Sequence, residues 1–480
     1  MLFKFKKYST FFLLLILLST AEISAQERAP ELGDPYSTVL SLKNEELIGL
    51  SSFRRLQKFN YIINDPLISS YINYLGNLLS RNLLDGDRRY TFFVVNSEQI
   101  NAFAIPGGYI GLNAGLILLT ENEAQLASVV AHEISHVKLR HTAEMMANSR
   151  RNSIPLWIGI FAGIFSGNPK ASVAALQAGI GFSSQKNINL IRSNEVEADT
   201  LGLQILESSE FNTAEMAKLF ELMQNAKGDV QKNLAYLSTH PMFEERISNS
   251  QNRSSASNNK MINSSQDFSY IKNIIEVSLT LDINQAIKNT KSSDILSRHK
   301  KALLYQKKSG FDKSLKILKK DLENEPTNLY IASAYIDGLL GVNKIDEAIN
   351  ELNYLKKLSP LNKIYPYKLA SIYADYGKGS AVLAKSVENN KDFYNLNPDF
   401  HRMMSKIYLL ENNKYQGSLY LSDYYVLIDN IKMSLDVLSD ASKSNLVSKT
   451  EKKRLLNKRS EILCKYNRPL EPIFGEKTCN

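Results

Sequence analysis

Apolar residues recur every three or four positions between Asp65-Pro66 and about Leu83, at Leu67, Tyr71, Leu75, Leu78 and Leu79, a spacing that predicts a helix. The run Tyr90–Val95 (YTFFVV) abandons that period. Its β-branched and aromatic side chains predict a strand. Ile105-Pro106-Gly107-Gly108 marks a turn, and Tyr109-Ile110-Gly111-Leu112 predicts a second strand. Helical spacing returns from about Glu121 through His141, with Leu126, Val129, Val130, Ile134 and Val137 as its apolar positions. Thr120 is the expected N-cap of this helix, and Glu123 completes a capping-box pattern. A further helix is expected to begin within Arg192–Asp199 and to continue through Leu201, Leu203 and Leu206.

The pattern changes twice more. Residues 154–182 open on an apolar, glycine-rich stretch from Ile154 to Phe161, later broken by Gly167-Asn168-Pro169. Its unbroken part is shorter than the ~20 residues a membrane-spanning helix needs. Two readings remain, a flap over a cleft or a segment that touches a membrane surface. Residues 248–266 are rich in Ser and Asn with little to bury, and read as a linker. Beyond it the chain is all-helical in pattern and weakly repetitive. Pro326 and Pro360 stand 34 residues apart, each ending a helix-like run, with Ser314 and Ala348 at matching small-residue positions. This period resembles tetratricopeptide repeats, helix pairs stacked into a solenoid. Pro398 follows after 38 residues, so later units fall out of phase.

Length and composition sharpen this outline. A chain of 480 residues exceeds one hydrophobic core, and 44% hydrophobic with 22% charged residues is ordinary for globular domains. Lys4, Lys6 and Lys7, the apolar run Phe11–Leu18 and Ile23-Ser24-Ala25 read as a secretory signal, leaving Gln26 as the new N-terminus. Removing residues 1–25 lowers the formal charge from +9 to +7, because three lysines and Glu22 leave together. The remaining excess favours anionic surfaces. No aromatic-spaced basic motif accompanies it, so nucleic acid is not an expected partner. The two cysteines, Cys464 and Cys479, are expected to form a disulfide in an exported chain. The expected division is a signal peptide at 1–25, a first domain at 26–247, a linker at 248–267 and a helical repeat domain at 268–480.

The chemistry concentrates in His132-Glu133-Ile134-Ser135-His136. Two histidines four apart share one helix face, so both imidazoles reach a single metal ion. Neutral imidazole suits zinc, which brings the pKa of bound water to ~7. Glu133 is placed to act as the base on that water rather than as a ligand. Glu195 and Asp199, also four apart, share a face of the later helix. Glu195 is the candidate third ligand, and Asp199 the candidate partner of a ligand histidine.

HEISH followed 59 residues later by EVEAD resembles the HtpX and CaaX-prenyl-protease superfamily of zinc metalloproteases, in its secreted soluble branch. The resemblance covers roughly residues 40–247; over the helical half it is one of architecture only. It implies an α+β zincin-like metalloprotease domain, mostly helical with a small sheet, followed by an all-α tetratricopeptide-like solenoid. One Zn2+ per chain is implied. Asn101–Asn113 resembles the family segment before the metal helix, which implies an edge strand that binds extended substrate by backbone pairing. Leu237-Ser238-Thr239-His240-Pro241 and Arg246 match the family's His-Pro segment. His240 is then a fourth ligand displaced by substrate, or His240 or Arg246 stabilises the oxyanion; a turn-capping role for His240 stays open.

The implied activity is that of a periplasmic endopeptidase acting on misfolded or misassembled outer-membrane proteins. The repeat domain would dock such substrates or the outer-membrane assembly machinery. A chaperone or assembly scaffold with a structural or nearly silent zinc site is the alternative.

Overall fold

The structure is a computed structural model that describes residues 36–83, 89–148, 185–226, 236–241, 244–254 and 262–466. The expected signal peptide, the stretch 154–182 and Cys479 lie outside the described residues. Gly107 and Gly108 adopt φ of 84° and 85°, the left-handed region that favours glycine. A Cβ at Gly108 would also stand 2.3 Å from the carbonyl oxygen of Arg89. That turn folds β2 (Ala102–Ile105) antiparallel onto β3 (Tyr109–Asn113), and β1 (Thr91–Val95) pairs parallel on the other side of β3. The order β1-β3-β2 leaves β2 at an edge.

Nine helices among the described residues accompany this sheet in the first half: α1 (Leu42–Lys58), α2 (Pro66–Ser80), α3 (Ala114–Leu119), α4 (Glu123–Lys138), α5 (His141–Asn148), α6 (Gln185–Ser208), α7 (Ala214–Ala226), the single turn α8 (Tyr236–Thr239) and α9 (Glu244–Ser254). The predicted helix after Asp65 is present as α2. The Asp65 carboxylate accepts from the backbone N–H of Leu67 and Ile68, and Pro66 occupies the first turn, where its missing N–H is harmless. α4 departs from expectation at both ends. Asn122, not Thr120, is its cap, accepting from Gln125 N at 3.0 Å. Thr120 closes α3 instead, its hydroxyl donating to Ile117 O. Glu123 turns away from the cap and accepts from the Tyr71 hydroxyl and the Ser265 N–H. At the other end α4 stops at Lys138, because Arg140 takes a left-handed φ of 57° and a new helix starts at His141. α6 begins earlier than expected, so the acidic cluster lies inside a helix rather than at its start.

The second half is helical throughout its described length: α10 (Gln266–Leu279), α11 (Ile283–Asn289), α12 (Ile295–Lys307), α13 (Phe311–Asn324), α14 (Leu329–Gly341), α15 (Ile345–Leu358), α16 (Ile364–Tyr376), the short α17 (Ala381–Lys385) and α18 (Lys391–Tyr394) around a 3₁₀ turn, α19 (Pro398–Leu410), α20 (Lys414–Leu427), α21 (Ile431–Lys443) and α22 (Lys449–Tyr466). Most helices pack on the next in sequence. The Ser/Asn-rich tract is not a free tether over its described length. Its first part lies in α9, and Ile262 and Asn263 pair their backbones with Glu210, Asn212 and Ala124. These bonds hold a segment that has little apolar surface of its own. One buried apolar cluster runs from Leu67 through the sheet and α4 to Ile372, joining the two halves.

The far end of the helical half returns to α1. Arg54 hydrogen-bonds the Tyr466 hydroxyl and lies 4.2 Å above its ring, Lys58 pairs with Asp429 at 3.3 Å, and Asn397 donates to Asn64 O. Cys464, in the last helix, is disulfide-bonded. No described helix is long and apolar enough to cross a membrane.

Candidate active site

α4 carries His132 and His136 one turn apart, and α6 lies against it with Glu195 and Asp199 facing them. Gly202 lies where the two helices meet: a Cβ there would sit 3.4 Å from His132 N and 3.2 Å from Met216 Cε. Only the flexible end of Met216 crowds that position, so Gly202→Ala should be tolerated. Gly202→Val should push α6 off α4, lowering stability by about 1–3 kcal/mol and weakening metal binding. Denaturant unfolding and zinc titration of the two variants check this.

The side chains converge closely. His132 Nε2 lies 3.0 Å from His136 Nε2 and 3.2 Å from His240 Nδ1. Glu195 Oε1 is 3.1 Å from His240 Nδ1 and 3.4 Å from His136 Nε2, and its Oε2 is 3.4 Å from His132 Nε2. One donor atom from each of these four residues falls within 4.8 Å of all the others. Three imidazole nitrogens and a carboxylate oxygen in so small a volume, three of the residues fully buried, fit a zinc ion by donor type and number. His240 thus belongs to the cluster, at the end of α8. The ring of Tyr236 stacks on it at 4.6 Å, and Tyr236 is itself anchored by donating its N–H to Ile100 O.

Around the donors stands a layer that fixes them. His132 Nδ1 is 2.9 Å from Asp199 Oδ1. Arg246, 1% exposed, spreads its guanidinium across Asp199 and Glu195: Nε and Nη2 donate to the two Asp199 oxygens at 2.7 and 2.8 Å, and Nη1 lies 2.7 Å from Glu195 Oε2. Nη1 also donates to Pro241 O. In this arrangement the donors of Arg246 face Asp199, Glu195 and the Pro241 carbonyl. Burial alone would raise Glu195 and Asp199. Coulombic attraction from the His240 and Arg246 side holds Glu195 well below the usual carboxylate range, and Arg246 lowers Asp199.

Glu133 differs from every other carboxylate here. It is 1% exposed, and neither oxygen accepts a hydrogen bond among the described residues; His240 Nε2 stands 3.3 Å from its Oε1. Burial raises its pKa, against the pull of His240 and His132. Such an orphaned acid is costly to keep unless something not made of protein faces it.

The model of peptidase family M48 matches residues 72–254. The Beta-barrel assembly-enhancing protease of Escherichia coli O157:H7 is 30% identical over 443 residues, which cover 88% of this chain and 89% of that protein. The chain belongs to peptidase family M48. The protease of the same name from Yersinia pestis is 30% identical over 431 residues, 88% of either chain. Mitochondrial metalloendopeptidase OMA1 of Schizosaccharomyces pombe is 31% identical over 189 residues, 38% of this chain and 54% of that one. This M48 chain is therefore a zinc metalloprotease, and its zinc donors are to be sought in the cluster above.

The sequence pattern alone missed two residues that the structure sets against this cluster. His141 is 3% exposed and places Nδ1 2.8 Å from His136 Nδ1. Burial pushes it down to about 4, so it is neutral at physiological pH. In the sequence it falls at the end of the predicted metal helix, and its spacing of five from His136 is the available signal. Tyr236, the stacking partner of His240, carried no signal beyond being aromatic four residues upstream.

Proposed function

We propose that this chain is a zinc-dependent endopeptidase of the periplasm, secreted across the inner membrane, that hydrolyses peptide bonds of misfolded or misassembled outer-membrane proteins. The observation that carries the reading is Glu133, a buried acid with no hydrogen bond among the described residues, set beside a four-donor cluster. A purely structural zinc site has no use for it. The printed name of the bacterial relatives supports the substrate class.

His132, His136 and Glu195 would hold the zinc, with Asp199 orienting His132. Bound there, zinc supplies a polarising charge that activates water toward a peptide carbonyl. Glu133 takes the proton of the attacking water and returns it to the leaving amine. His240, with Nδ1 in the cluster and Nε2 toward Glu133, would serve as a fourth ligand to the zinc. Arg246 keeps Glu195 charged and in place. β2, an edge strand, offers backbone groups to an extended substrate.

The helical half reads as tetratricopeptide-like. α13 and α15 begin 34 residues apart, and Ser314 and Ala348, at the matching small positions, are both fully buried. Stacked helix pairs of this kind suit a docking surface for substrate or for the assembly machinery. Four donors also make a closed set, which favours the alternative of a chaperone or scaffold with a nearly silent zinc.

Cleavage separates them. The purified mature chain should degrade an unfolded outer-membrane β-barrel protein, stop when a chelator removes zinc, and recover when one equivalent is returned. Cleavage that survives the chelator, or none with zinc bound, removes the endopeptidase reading.

A further inference from the structure

The two histidines of α4 are braced differently. The outer nitrogen of His132 faces the Asp199 carboxylate at 2.9 Å. The outer nitrogen of His136 faces another imidazole, His141 Nδ1, at 2.8 Å, with the rings edge-to-face at 76°. At that separation one Nδ1 carries a hydrogen and the other offers a lone pair. His136 directs Nε2 into the cluster, 3.0 Å from His132 Nε2 and 3.4 Å from Glu195 Oε1. A neutral imidazole that gives its Nε2 lone pair to a metal must keep its hydrogen on Nδ1. His136 therefore donates and His141 accepts, leaving the hydrogen of His141 on Nε2, 3.7 Å from Glu197 Oε2.

The chain is built to hold that contact. Arg140 takes its left-handed conformation between α4 and α5, which brings His141 back beneath His136. Arg140 is tied to α1 by Glu45, 2.9 Å from its guanidinium, and to the segment just before α1 by the Leu40 carbonyl. The turn cannot relax without breaking a buried ion pair. We infer that His141 is a positioning residue of the zinc site, a neutral acceptor that fixes the tautomer and ring orientation of His136. An uncharged partner here, opposite the carboxylate on His132, orients the ligand without adding a further buried negative charge to a site that already holds Glu133, Glu195 and Asp199. The inference rests on the reading of His132, His136 and Glu195 as zinc ligands.

Zinc affinity tests it without recourse to activity. The full mature chain is titrated with zinc against a chromophoric chelator, as wild type, His141→Asn and His141→Leu. The asparagine oxygen can take the place of Nδ1 as acceptor, so this variant should stay within about threefold of wild type. Leucine fills the space without accepting and should weaken zinc by about 10–100-fold, with the melting temperature of the zinc-free protein unchanged. Equal affinity for leucine and wild type overturns the proposal, as does asparagine failing as badly as leucine in a folded protein. Nitrogen-15 NMR of the zinc-loaded wild type tests it with no substitution. The proton is expected on Nδ1 of His136 and on Nε2 of His141, and the reverse at His141 overturns it. A wild-type chain that binds no zinc would instead remove the ligand assignment beneath.

Discussion

Glu133→Gln should leave zinc bound and slow peptide hydrolysis by about 10²- to 10⁴-fold, the usual contribution of a positioned acid–base group. The amide matches the carboxylate in volume, so the fully buried position keeps its packing. It has no place in the cluster of four donors, so affinity for zinc should hold. What the amide lacks is a site for the proton. Two measurements on one preparation decide the point: zinc content by elemental analysis, and turnover of an unfolded β-barrel substrate. Loss of zinc would make Glu133 a structural neighbour of the cluster, and unchanged turnover would refute it as the base. In cells, a Glu133→Gln chain that maintains the envelope as well as wild type would favour the chaperone reading instead.

The metal helix was readable in sequence because its chemistry and its burial reinforce each other. Val129, Val130 and Ile134 put the helix in the core, and two histidines and a glutamate among them need a common partner. Glu195 and Asp199 were readable from their spacing of four. What the pattern could not give was depth. The acidic cluster was expected at a helix start, yet α6 begins at Gln185 and both carboxylates are buried where α6 packs along α4. The cap of α4 was misplaced by two residues because Thr120 and Asn122 are both good caps, and tertiary bonds of Glu123 to Tyr71 and Ser265 decide between them. The pairing of Ile262 and Asn263 was not legible either, since backbone bonds need no apolar side chain and leave no trace in hydropathy. Arg246 shows the same limit in charge. Its sequence neighbours allow an outward-facing catalytic cation, whereas Asp199 and Glu195, remote in sequence, turn it inward.

That inward turn makes Arg246 the position where one substitution should do most harm to stability. Arg246→Met keeps a long apolar stem against Phe220, over whose ring the guanidinium now lies at 4.7 Å, but it leaves two buried carboxylates without their cation. Breaking a buried pair from one side typically destabilises by about 3–5 kcal/mol. Zinc-free protein isolates the effect, because zinc would itself neutralise Glu195. Acidification supplies the signature. In wild type both carboxylates are held below their unfolded values, so their stabilisation is complete at neutral pH and is lost as pH falls through the folded values. Without Arg246 the opposing pull of burial gains weight and both folded values rise. The variant then sheds buried charge on mild acidification, and the stability gap to wild type narrows as pH drops from 7 toward about 4. Urea unfolding across that range checks both parts. A gap that is small at pH 7, or one that widens on acidification, would mean that Arg246 is not what keeps Glu195 ionised and in place.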